Sequence, residues 1–181
     1  MRRAGGRRAR VVVCAAVRPW SHVVRSEAWA PDRGSPSAFG RLGFYTSAMD
    51  VVWSATEPGS RRFRPAPVRS DLAGLDDHFR RLRRRRVRGY LEVEVPDVES
   101  PRLTIGFRGE YAVIHLLVAA RSFVLAGDGS VPKEAYVDLP VMDELARFDG
   151  DVVLEVHRAW DLVRSFLRTG RADELGKWHA L

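Results

Sequence analysis

From Tyr90 onward the apolar residues of this chain recur at every second position, in short runs separated by turn residues. A chain patterned this way has few options beyond an antiparallel sheet, because period two sends alternate side chains to opposite faces of a strand. Leu91, Val93 and Val95 alternate with Glu92 and Glu94, and Leu103, Ile105 and Phe107 alternate with Thr104 and Gly106. After an Arg108-Gly109 turn, Tyr111 to Val118 is nearly continuous in apolar residues, which suits a central strand. Ser122 to Ala126 and Ala135 to Leu139 extend the series, with Asp128-Gly129 as the tight turn between them, and Met142 to Phe148 reads as a further strand before an Asp149-Gly150 turn. Ahead of the series, Asp50 to Ala55 forms a first strand with Val51 and Trp53 on one face, and Pro58 to Pro67 reads as a loop.

Two stretches break the period. Leu72, Leu75, Phe79 and Leu82 are spaced by three or four residues, as on one stripe of a helix that Ser70 caps and Gly89 closes. Val156, Trp160, Val163 and Leu167, with Phe166 alongside, line a second helix whose Arg158, Asp161, Arg164 and Arg168 face water. Arg164 and Arg168 complement the dipole of its last turns, and Gly170 after Thr169 supplies the left-handed residue that ends it. The short tail that follows carries Trp178, expected to fold back over the core. The expected class is α+β: an antiparallel meander sheet of about five to six strands with two amphipathic helices packed on one face.

The net charge of +7 looks like a nucleic-acid signal until it is divided along the chain. Residues 1–48 hold nine Arg and two acidic residues, leaving 21 basic and 21 acidic residues in 49–181. The basicity belongs to the leader, which is also rich in Gly, Pro and Ser and reads as disordered. Met49 opens a different composition and an immediate strand pattern, so the leader reads as an over-extended start and 49–181 as one domain. A body of that size buries roughly two-thirds of the surface of its unfolded chain. The single cysteine, Cys14, excludes an internal disulfide framework, and no apolar run approaches membrane-spanning length. The expected setting is cytoplasmic.

No motif for catalysis is present: no GxSxG elbow, phosphate loop, HExxH or paired cysteines. No catalytic, cofactor-binding or metal residue is therefore assigned. Gly127-Asp128-Gly129-Ser130 reads as a turn and not a phosphate cradle. His115, inside the apolar strand, reads as a sheet-face histidine; His78 and His157 each stand alone on a helix with no second histidine or cysteine three or four residues away. Seven arginines fall between Arg80 and Arg88, with Asp76 and Asp77 as local partners and no interleaved aromatic to stack on bases. Acidic residues gather in two groups, Glu92, Glu94, Asp97 and Glu99, and then Asp138, Asp143, Glu144, Asp149 and Asp151.

Three words in the C-terminal two-thirds, LTIGFRGEYAVIHLL (Leu103 to Leu117), SFVLAGDG (Ser122 to Gly129) and VLEVHRAWDLVRSFLRTG (Val153 to Gly170), with Trp178 near the end, resemble immunity protein family one of bacterial polymorphic toxin systems. The resemblance covers roughly residues 49–181, with Gly106, His115, Trp160, Phe166, Thr169, Gly170 and Trp178 in the structural positions of the motif. It implies a small cytoplasmic protein that binds a cognate toxin domain of nuclease or deaminase type and neutralises it by occlusion, with no catalytic residue, cofactor or metal. The expected contact surface is the sheet face opposite the helices, where Tyr90, Glu92 and Glu94 alternate outward beside Asp97 and Glu99. An acidic face of this kind would speed association with a basic toxin, and replacing Glu92 and Glu94 by Lys is expected to weaken binding without unfolding the domain. The competing reading is a nucleic-acid-binding regulator that uses the leader and the Arg80 to Arg88 cluster.

Overall fold

The computed structural model describes residues 50–84, 88–96 and 101–181. In chain order the elements are β1 (Asp50–Thr56), β2 (Phe63–Asp71), α1 (Leu72–Arg84), β3 (Gly89–Glu94), β4 (Arg102–Arg108), β5 (Tyr111–Val118), β6 (Arg121–Leu125), β7 (Tyr136–Val141), β8 (Glu144–Asp149), β9 (Leu154–Glu155), α2 (Val156–Thr169) and β10 (Trp178–Ala180). Seven strands form one antiparallel sheet in the order β10-β6-β5-β4-β3-β1-β2, and short β9 pairs with the start of β5. The expected α+β architecture is present, an antiparallel sheet with two helices on one face.

The period-two runs explain the centre of this sheet. Leu91, Leu103, Ile105, Phe107, Ile114 and Leu116 all point to one side, and the stripes of α1 and α2 cover them in one continuous core. There Phe79 of α1 and Trp160 of α2 stack with ring centroids 4.0 Å apart and planes 2° from parallel. The indole N–H of Trp160 donates to Asp76 at 2.8 Å, so the one polar atom of the ring is satisfied at the helix–helix seam. Helix α2 ends as its sequence requires: Gly170 adopts φ 69° and its N–H returns to the Phe166 carbonyl at 2.7 Å. Trp178 folds back, its indole donating to the Ala172 carbonyl at 2.9 Å. The residues around it also add a strand, β10, that the sequence reading did not contain.

Three local expectations are corrected. The Pro58 to Pro67 stretch is not all loop, since Phe63–Asp71 pairs with β1 as an edge strand. Pro65 and Pro67 are tolerated there because an edge strand has one side on which a missing N–H breaks no ladder bond. Ser70 does not cap α1: its hydroxyl accepts the Trp53 indole N–H at 2.9 Å, and Asp71 takes the Gly74 N–H at 2.8 Å instead. Gly89 opens β3 and does not close the helix; it sits opposite Phe107, whose ring occupies the space where a side chain would be.

A fourth expectation, that the last strands continue the meander, is also corrected. Asp128-Gly129 is not a hairpin turn, because β6 ends at Leu125 and the chain leaves the sheet. Strands β7 and β8 pair only with each other and lie across the face opposite the helices, over a second core of Val113, Val124, Val131, Leu139, Phe148 and Val153. This hairpin crosses so closely that a Cβ on Gly106 of β4 would overlap the Pro140 carbonyl oxygen. Its tip, Met142-Asp143, reaches β2, where the Asp143 carboxylate accepts the Phe63 N–H at 2.6 Å. At its other end Asp128 bridges two segments, accepting the Ser130 N–H at 2.9 Å and the Glu155 N–H at 2.8 Å.

Candidate functional site

The sheet face opposite the helices is divided by the crossing hairpin, and the part left beside it carries the polar members of the period-two runs. Register sets their neighbours: Glu92 stands between Ser54 and Thr104, and Thr104 stands beside His115. One position along, Glu94 pairs with Val52, and Arg102 with Leu117. Arg102 is the hub. Its Nε bonds Glu94, and its Nη1 lies 3.6 Å from a Glu92 oxygen, so one guanidinium answers two carboxylates. The Tyr90 phenol donates to Glu92 at 3.3 Å, and its backbone N–H donates to the Thr56 hydroxyl at 2.9 Å.

Burial decides what these groups can do. The Glu92 side chain is 13% exposed, and burial raises its pKa against the opposing pull of Arg102. Burial also raises the Tyr90 phenol well above its ordinary value, with the Glu92 charge adding to the effect. Tyr90 does not face outward as a contact residue: it is buried, with Phe63 meeting its ring edge-on at 5.1 Å. Of the expected contact residues, Glu92 and Glu94 do occupy this face, but as the two arms of one Arg102 cluster. Asp97 and Glu99 lie outside the described residues. His115 is on the same face, 5.6 Å from the Phe148 ring, and burial pushes its pKa down to about 4.

The remaining motif residues hold the fold. Gly106 admits the hairpin, Trp160 and Phe166 fill the helix-side core, and Gly170 turns the chain. The Thr169 hydroxyl donates to the Ser165 carbonyl at 3.1 Å and accepts the Arg171 N–H at 3.2 Å.

Two further groupings were not legible from spacing. Glu110, Glu155 and His157 bring ligand-type atoms within 4.8 Å of one another, although His157 is alone on its own helix. Both carboxylates already have partners: Arg83 bonds Glu110 at 3.2 Å, and Glu155 accepts the Arg158 N–H at 2.9 Å as the cap of α2. The second grouping is a groove of about 370 Å³ between β2 and α1. Trp53, Ala55, Ala66 and Val68 line it with His78, and Arg64 and Arg81 reach it. The His78 ring lies 4.7 Å from that of Trp53, and its Nε2 donates to the Thr56 carbonyl at 2.9 Å. Burial lowers the pKa of His78 against the opposing effect of its bond to the Thr56 carbonyl, which favours the neutral ring. The groove escapes a linear reading because its walls come from residues 53–68 and 78–81, and because β2 reads as loop.

The arginine run is distributed in the same way. Arg83 turns to Glu110 and the Gly109 carbonyl, and Arg80 pairs with Asp77 at 3.0 Å. Asp76 faces inward to Trp160 and Arg164. No helix among the described residues is long and apolar enough to cross a membrane. Compared with known proteins, the chain matches no family model and no curated protein.

Proposed function

We propose that the chain is an immunity-type protein that binds a cognate toxin domain of nuclease or deaminase type in the cytoplasm and neutralises it by occlusion. The observation that carries this reading is where the three resembling words fall. Leu103 to Leu117 is the β4–β5 pair at the centre of the sheet, Ser122 to Gly129 is β6 with the loop that Asp128 ties down, and Val153 to Gly170 is β9 with the whole of α2. They adjoin in space, so the resemblance attaches to one packed unit and not to scattered patterns. On this reading the protein presents a preformed surface, and affinity comes from a few anchors inside a polar rim. The Glu92–Arg102–Glu94 cluster is then a rigid mixed-charge patch, whose contribution to a complex is registration more than net attraction.

The test uses the tagged full chain as bait in the lysate of its source cell, followed by co-expression. Recovery of one dominant polypeptide with a toxin-like domain, together with restored growth when bait and that domain are co-expressed, supports neutralisation. Nuclease-sensitive nucleic acid released by salt, with no such polypeptide, overturns it in favour of a nucleic-acid regulator.

A further inference from the structure

We infer that the groove between β2 and α1 is a docking site for an acidic protein segment that inserts one apolar side chain. This goes beyond the neutralising role and stands whichever protein carries the segment. Ala66 and Val68 of an edge strand present apolar surface beside a helix, above a floor of the largely buried Trp53 and Ala55, and Val68 is 42% exposed. His78 lies in this floor with its Nε2 hydrogen on the Thr56 carbonyl and its ring against Trp53, and burial favours the uncharged ring there.

The rim sets the sign of the occupant. Arg64 is engaged by Glu57 at 3.0 Å, and Arg80 by Asp77, whereas no carboxylate pairs with Arg81 or Arg84 among the described residues. Arg80, Arg81 and Arg84 line a second hollow along the same helix together with Asp77, and Arg81 borders both hollows. A partly apolar trough bordered by Arg81, which has no carboxylate partner among the described residues, and by Arg64, held by Glu57 in the same lining, is complementary to a strand of chain bearing a Leu-like side chain flanked by carboxylates, which Arg binds in bidentate fashion. A nucleic acid fits less well, because Trp53 is buried in the floor and presents no free face on which a base could stack.

The test is a titration of the isotope-labelled full chain, followed by backbone amide NMR, with three capped pentapeptides: EELEE, EEAEE and KKLKK. The expected result is that EELEE shifts the signals of Ala66, Val68 and Arg81, with EEAEE weaker and KKLKK silent. Arg81→Glu should weaken EELEE by on the order of tenfold with little change in Tm, because Arg81 has no ion-pair partner among the described residues. Glu57→Gln, which releases Arg64, should strengthen it severalfold. Equal shifts from EEAEE or KKLKK, no shift from any peptide, or binding of a short oligothymidylate in their place would overturn the proposal. None of these results bears on toxin neutralisation, which the co-expression experiment reads separately.

Discussion

On the helix side of the sheet, β3, β4 and β5 present Leu91, Ile105, Phe107 and Ile114 to an apolar cover supplied by two helices. On the other side the same strands present Tyr90, Glu92, Arg102, Thr104 and His115, together with a strip of apolar residues under the β7–β8 hairpin. One side is held by area removed from water, which is non-directional and tolerant of small shifts. The other depends on directed contacts: a guanidinium between two carboxylates, a phenol on a carboxylate, and a hairpin that passes only because β4 has no side chain at residue 106. The first side is where stability resides, and the second is where a single substitution can change local structure while the fold persists.

The comparison can be broken by measurement. The largest effect is expected from Phe166→Ala in the helix-side core, about 3–5 kcal/mol by denaturant unfolding, with Phe148→Ala under the hairpin costing less. Equal losses would show that the two cores are of equal weight. Next comes Gly106→Ala, expected to cost about 3 kcal/mol by forcing the hairpin away from β4. Hydrogen exchange should then quicken in β7–β8 while β4–β5 stays protected, and uniform loss of protection would mean the hairpin is integral to the fold.

Glu92→Lys is expected to cost about 1–2 kcal/mol, between the values for exposed and buried pairs, since it sets a second cation against Arg102. It is thus a poor probe of a binding surface, contrary to what the sequence suggests; Glu94, the more exposed arm, serves better. The smallest effect is a slope. His115 has a folded pKa of about 4, below its unfolded value, so neutral His115 is favoured by folding. Its contribution is fully present above about pH 6.5 and is lost as pH falls toward 4, the offset at pH 6 staying below about 1 kcal/mol. His115→Leu should flatten the acid limb of a stability profile, and an unchanged limb would place the titration elsewhere, with His78 the next group in that window.

Much of the helix side was legible in the sequence because burial writes periodicity. The stripe of Val156, Trp160, Val163 and Leu167 and the stop at Gly170 follow from residue spacing alone. The other side was less so. Nothing local distinguishes a strand that continues a meander from one that folds across it, and β7 and β8 alternate as any strand does. Gly106, a small residue inside an apolar strand, is where the close approach occurs, and its meaning was not read from the sequence. The prolines of β2 hid an edge strand for the same reason that they are permitted there. Glu92 and Glu94 were rightly placed on the face opposite the helices, but Arg102 eight residues beyond Glu94 is brought beside them only by the β3–β4 pairing.

Strand β2 ends the sheet with one ladder edge that no described strand completes, and two of its nine residues are prolines. Such an edge is poor at templating another copy of itself, since each proline interrupts the row of donors that a newcomer would need. At high concentration the β2 edge is accordingly guarded against growing by strand addition, and replacing Pro65 and Pro67 by Thr would remove that guard while leaving the core of the domain untouched.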